Sequence, residues 1–267
     1  MTWFNLPRVP EPEAMDDAGE VEAYSSAAAQ AYLGKIDDTL VEHALRLAVI
    51  PPHGPEGWDG LPGAPHVSAK RTKRLLDLGA GPGQITRKLA QRLPGWHVIG
   101  IDHSSHMIRQ AMEGVAPAPA VEPDAPVAPG TLSTFVAGTP PSRVEFLAGD
   151  ANRLPFADAM FDVVLCNSVL HHLAKPASLL AEITRVVKAT GAILVCDLRR
   201  PSRLAYPLHV RWYGRHYSGL MYKLYCDSVR SAYTADDLAV MLRTSPVPGA
   251  RIFTRGRTHL GLERPAT

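Results

Sequence analysis

Three aspartates and one glycine-rich turn supply the residue types from which a nucleoside site can be built. The turn reads Gly79-Ala80-Gly81-Pro82-Gly83 and follows Asp77. Glycines there allow positive φ and remove Cβ atoms where a ligand must lie against the backbone. A helix starting just beyond aims its free N–H groups at that ligand, a position suited to a carboxylate or phosphate. Asp102 stands 19 residues after Gly83 and ends the apolar run from His97. An acid at the end of the second strand of a Rossmann-like unit accepts both hydroxyls of a ribose. Asp150 closes a third run that starts at Val144. Its carboxylate needs a donor, which is either a ligand amine or the amide of a turn that it caps. A fourth run, Phe161 to Asn167, leads into Ser168-Val169-Leu170-His171-His172-Leu173. Histidine titrates near working pH, so His171 or His172 is a candidate general base. The plain alternative, preferred for His172, is a ring that bonds backbone and shapes the loop.

The dinucleotide fingerprint Gly-x-Gly-x-x-Gly needs glycine at position 84, where Gln84 stands. The spacing Gly79-x-Gly81-x-Gly83 after Asp77 instead resembles the first motif of class I S-adenosylmethionine (SAM)-dependent methyltransferases. Gly149-Asp150-Ala151 resembles the adenine motif of that family, and Leu170-His171-His172-Leu173 resembles a segment of its small-molecule branch. The Asn-Pro-Pro-Tyr/Phe signature of enzymes that methylate base amines is not present.

The resemblance implies SAM as cofactor and transfer of its methyl group, by in-line displacement, to an O, N or C nucleophile of a small molecule. Asp77, Gly79, Ala80, Gly81 and Gly83 would hold the amino-acid end, with Asp77 often acting through water. Asp102 would hold the ribose, and His103 and Met107 would flank the adenine. Asp150 would accept from the adenine amine, the Ala151 N–H would meet a ring nitrogen, and Asn167 would complete the cofactor set. His103 facing solvent and Asp150 capping a turn are the bland alternatives. The candidate catalytic residues are His171, Tyr24 and His216. For Tyr24 the alternative is simple packing of its helix on the sheet. No metal is expected. Two other readings stay open: an accessory protein that binds SAM or S-adenosylhomocysteine without turnover, and an NAD(P)-dependent oxidoreductase, which Gln84 disfavours.

These residues need a scaffold of alternating strands and helices. Leu75-Leu76-Asp77-Leu78 reads as a buried strand, and Ile85, Leu89 and Leu93 recur at helical spacing after the turn. Ser105 to about Met112, and Pro176 to Val187, read as further helices, the second started by proline and ended before Gly191. Ala192 to Asp197 is a fifth strand. Ala250 to Thr254 and Thr258 to Glu263 form a closing hairpin. The expected fold is α/β: a Rossmann-like, seven-stranded, mostly parallel sheet between helical layers. N-terminal cap helices cover residues 20–33 and 36–49, and a lid lies between strands five and six.

Residues 1–18 read as a loose N-terminal tail and 19–267 as one domain, with helices in 19–50, a core over 70–200, a lid over 201–233, and a closing helix and hairpin over 234–264. Pro51 to His66 holds five prolines and four glycines and reads as a linker. Residues 114–142 hold seven prolines and read as an inserted surface loop. In the lid, six of the eight tyrosines fall between Tyr206 and Tyr233, among Arg211, Trp212, Arg215 and His216. Such a cover suits an aromatic, lipidic or anionic acceptor. A net charge of +2 gives no mandate for nucleic acid. No apolar run is long enough to span a membrane. Cys166, Cys196 and Cys226 have no metal-ligand spacing and read as reduced thiols of a cytoplasmic protein.

Overall fold

A computed structural model describes residues 4–11, 17–48, 72–113 and 142–267. Seven strands form one sheet: β1 (Arg74–Leu78), β2 (His97–Asp102), β3 (Arg143–Ala148), β4 (Phe161–Asn167), β5 (Val187–Leu198), β6 (Arg251–Arg255) and β7 (His259–Arg264). Their order is β3-β2-β1-β4-β5-β7-β6. Strands β1 to β5 pair in parallel, and β7 lies antiparallel between β5 and β6.

Side chains alternate across this sheet because the strand period is two. Leu76, Val164 and Ile193 meet one core, with Leu179, Leu180 and Ile183 of α5 (Pro176–Val186) and Leu238 of α8 (Ala235–Thr244). Leu75, Leu165 and Leu194 meet the other, with Leu40, Ala44 and Leu47 of α2 (Ala27–Ala48) and Leu89 of α3 (Gln84–Arg92). The central strands therefore read as continuous apolar runs, as parallel strands covered on both faces do. A capping box between Thr234 and Asp237 starts α8. Helices α6 (Tyr206–Tyr213) and α7 (Gly219–Ser231) make the segment between β5 and α8.

Several expectations need correction. The N-terminal helices break at Ser26, not near residue 34: α1 is Ala18–Ser25, and Gly34 lies inside α2. Strand β5 begins at Val187, where Val187 pairs with Phe161, and the register shifts before Ala192 meets Val163. Residues 4–11 are not loose. Leu6 is buried, and Val9 N–H donates to Arg230 O at 3.2 Å. Arg8 donates to Ser231 O at 2.6 Å, His171 O at 2.9 Å and Leu173 O at 3.1 Å, and its guanidinium covers the Tyr233 ring. The linker at 51–66 and nearly all of the 114–142 loop lie outside the described residues.

Gly34 and Gly261 should respond oppositely to alanine. A Cβ on Gly34 meets only Lys88 Nζ, at 3.8 Å, so Gly34→Ala should stabilise α2 by roughly 0.5–1 kcal/mol. A Cβ on Gly261 would collide with the Val195 carbonyl across the β5–β7 ladder. Gly261→Ala should cost roughly 1–3 kcal/mol, as other overpacked sites do. Chemical denaturation measures both, and equal effects would contradict this packing.

Candidate functional site

The chain leaves β1 toward β2 and β3 on one side and enters β4 and β5 on the other. Ligands of open α/β sheets bind at the carboxyl ends of the strands at such a switch point. A cavity of about 570 Å³ lies there, within the usual size for small-molecule sites. Its floor includes Gly79, Ala80 and Gly81 after β1, and Asn167 at the end of β4. Asp102, His103 and Met107 line it from β2 and α4 (Ser105–Glu113), and Asp150 and Ala151 follow β3. Asp102 and Asp150 thus open onto one crevice, whereas Asp77 lies behind its wall and does not line it.

Local backbone geometry explains the turn. Gly79 has φ of 71°. A Cβ there would overlap Val169, which Ser168 presents with its own φ of 56°. Asp102 braces the turn: Oδ2 accepts from Gly81 N–H at 2.8 Å, and Oδ1 accepts from Ser104 N–H at 2.9 Å. Asp77 is 1% exposed and accepts from Thr86 Oγ1 at 2.6 Å. Gly83 begins α3 with φ of 79° and also lies off the cavity wall. Asp150 caps a turn through Oδ1, which accepts from Asn152 N–H at 2.8 Å, and it lines the cavity as well.

The electrostatics favour a cation. Burial pushes the Asp77 carboxyl up to about 7; Asp37 and Asp102 add to this, and the Thr86 bond opposes it. Asp37, on the cavity wall, rises to about 6 through burial, with Asp38 adding and Lys88 opposing. Tyr24 shares this wall. Burial and then Asp37 hold its hydroxyl above the ordinary tyrosine range, so it releases its proton reluctantly.

His171 is 3% exposed and both ring nitrogens are engaged. Nδ1 lies 2.5 Å from Asp197 Oδ1, and Nε2 lies 3.2 Å from Glu11 Oε1. Burial alone would lower its pKa, but the two carboxylates outweigh burial and raise it to about 10. It therefore holds its proton and offers no lone pair as a base. His172 Nδ1 lies 3.1 Å from the same Glu11 oxygen, so its ring meets a carboxylate. His216 is outside the cavity; it stacks on Tyr32 at 4.3 Å and borders a separate small cleft with Ala23 and Met221.

Glu11 and Asp37 were not singled out by sequence reasoning. Glu11 lies in an aperiodic stretch, and its partners are 160 residues away or more. Asp37 did carry a signal: it sits on the stripe of Leu33, Leu40, Val41 and Ala44, where a buried charge needs a reason.

Residues 76–195 match the family model described as "Methyltransferase domain". The chain is 30% identical over 138 residues to an uncharacterised methyltransferase of Schizosaccharomyces pombe, covering 52% of this chain and 44% of that one. It is 30% identical over 143 residues to the demethylmenaquinone methyltransferase of Clavibacter sepedonicus, covering 52% and 48%. The chain thus spans about half the length of these curated relatives. Among solved structures, a protein of Pyrococcus horikoshii OT3 shares the fold with a TM-score of 0.52 at 17% identity, covering 91% and 95%. The plantazolicin methyltransferase BpumL, solved with S-adenosylhomocysteine, does so with 0.54 at 13% identity, covering 93% and 94%.

His171→Ala should lower stability by roughly 3–5 kcal/mol in metal-free buffer at pH 6, because it leaves the buried Asp197 carboxylate without its counter-charge and Glu11 with His172 alone. His171 is raised to about 10, so its contribution is complete below roughly pH 6.5 and is lost as pH rises through 10. Asp197 and Glu11 are lowered, so theirs is complete above roughly pH 4.5 and is lost as pH falls through their folded values. Denaturation curves should show the deficit shrinking toward pH 10; a deficit independent of pH would contradict the ion chain.

Proposed function

We propose that this chain is a class I SAM-dependent methyltransferase that binds SAM in the cavity and transfers its methyl group to a small-molecule acceptor. One observation carries this reading: Asp37 and Asp102 line one end of the cavity with Asp77 buried behind them, and burial destabilises Asp37 and Asp77 as carboxylates. SAM brings two positive groups, an ammonium and a sulfonium, and the sulfonium makes the methyl carbon electrophilic. The ammonium would face Asp37 and, through water, Asp77. Asp102 would hold the ribose hydroxyls, and Asp150 with the Ala151 N–H would read the adenine. His103 and Met107 would flank the ring.

The rest of the cavity suits the acceptor. Tyr32, Tyr213, Tyr217 and Tyr225 line it with Met221 and Leu224, and Arg255 and His259 border it from the β6–β7 hairpin. This wall supports an aromatic or lipidic acceptor that also carries an anionic part. Relatives named demethylmenaquinone methyltransferases favour the same class. The protein's main task is to hold the acceptor in line and exclude water; orientation supplies roughly 7–11 kcal/mol. Neither His171 nor Tyr24 is poised to remove a proton, and His216 is elsewhere. That favours a nucleophile that needs no protein side chain to remove its proton. It also keeps the second reading, a cofactor-binding accessory subunit without turnover, which methylation of any compound in a broad acceptor panel would exclude. No helix among the described residues is long and apolar enough to cross a membrane. The buried thiols of Cys166 and Cys196 support a reducing cytoplasm.

Asp102→Ala should weaken SAM binding by about tenfold or more, the size expected for losing charge-assisted hydrogen bonds. Isothermal calorimetry reads this directly, and an unchanged affinity would count against the ribose role. SAM, and not NADH, should raise the melting temperature of the wild-type protein; the reverse would restore the oxidoreductase reading.

A further inference from the structure

Glu11, His171 and His172 bring three metal-ligating groups to one point. Their ligand atoms all lie within 4.8 Å of one another. The same Glu11 Oε1 stands 3.2 Å from His171 Nε2 and 3.1 Å from His172 Nδ1. Bonds of about 2.0–2.2 Å at tetrahedral angles separate neighbouring ligands by roughly 3.3 Å. Two edges of such a polyhedron are therefore already formed.

The surroundings match as well. A metal-bound histidine usually donates its second ring N–H to a carboxylate, a backbone carbonyl or water. His171 does this with Asp197, at 2.5 Å. Ser228 Oγ donates to Glu11 Oε1 at 3.2 Å, and Arg8 ties the strap that carries Glu11 to the backbone of His171. His171, His172 and Ser228 all line the cavity. Among the described residues three groups converge, and three protein ligands leave coordination open, as catalytic sites do. Two imidazoles and one carboxylate suit zinc, iron, cobalt or manganese better than magnesium or calcium.

We propose that Glu11, His171 and His172 bind a divalent transition-metal ion at the cavity wall, and that its open positions take an oxygen of a hydroxyl-bearing acceptor. The proposal rests on reading this part of the cavity as the acceptor chamber. On loading, the proton on His171 leaves to the buffer, and its nitrogen pair goes to the ion. When the acceptor binds, its O–H breaks, the proton goes to solvent, and the oxygen keeps the electron pair that binds the ion. This supplies what the side chains lack, an ionised oxygen without a protein base.

The test uses the full chain, stripped with chelator and titrated with Co²⁺. Wild-type protein should take up one equivalent and show the visible d–d bands of a four- or five-coordinate ion. Zn²⁺ should compete for the same site. Glu11→Gln and His172→Ala should each bind at least tenfold more weakly, and neither removes the fully buried His171. Catechol, the oxygen probe, should shift the bands of the loaded protein. Absent bands in the wild type, or equal affinity in both variants, would overturn the site. Unshifted bands with catechol would overturn the acceptor half. SAM affinity, measured on the same samples, separates the two readings. Retained SAM binding without metal uptake defeats only the metal site, and lost SAM binding in wild-type protein defeats the methyltransferase reading.

Discussion

Between β1 and β4 the chain winds away in opposite directions, and no crossover covers the carboxyl ends of those strands. Everything else follows from the crevice this leaves. Strand ends in a parallel sheet come from distant parts of the sequence but point to the same edge. Asp77, Asp102, Asp150 and Asn167 are spread over 91 positions and still gather at one edge of the sheet. Asp77 is buried, and Asp37 and Asp102 both act on it, so this end of the crevice holds negative charge at a cost that a cationic ligand relieves. The same crowding limits what can bind there: a pyrophosphate would add to the repulsion.

A second set of buried charges ties the cover to the sheet. Asp197 on β5 meets His171 after β4, His171 meets Glu11 on the N-terminal strap, and Ser228 on α7 donates to Glu11. Buried ion pairs are poor sources of net stability, yet removing one member is expensive. Such a chain is therefore better understood as a device that fixes position. It places the strap, the turn after β4 and helix α7 against one another at the cavity wall. Helix α2 has a comparable double role: Leu40, Ala44 and Leu47 pack on the sheet, while Tyr32 and Asp37 reach the cavity.

The parts legible in the sequence were those fixed by local chemistry. Strands β1, β2 and β4, the glycine turn and the acids at strand ends follow from apolar runs and from residues that need positive φ or a nearby donor. The parts that were not legible depend on distant partners. Nothing local to Glu11 shows that His171 and His172 await it, so a stretch without periodicity reads as loose. Nothing local to His216 shows that its ring stacks on Tyr32 outside the cavity. The start of β5 at Val187 depends on Phe161 across the ladder, and the glycine at position 191 hid it. Asp37 could have been found, since a charge on an apolar helical stripe is a buried charge unless the helix is exposed.

The proposed function requires one crevice to clasp an adenosyl amino acid with its sulfur toward the tyrosines of the cavity wall. A crystal structure of the protein with S-adenosylhomocysteine tests this most directly. The expected result has the ribose on Asp102, the adenine beside Asp150 and Ala151, the amino-acid end over Gly79–Gly81 near Asp37, and the sulfur facing Tyr217 and Tyr225. A ligand bound at another face, or with adenine and amino-acid ends exchanged, would contradict it.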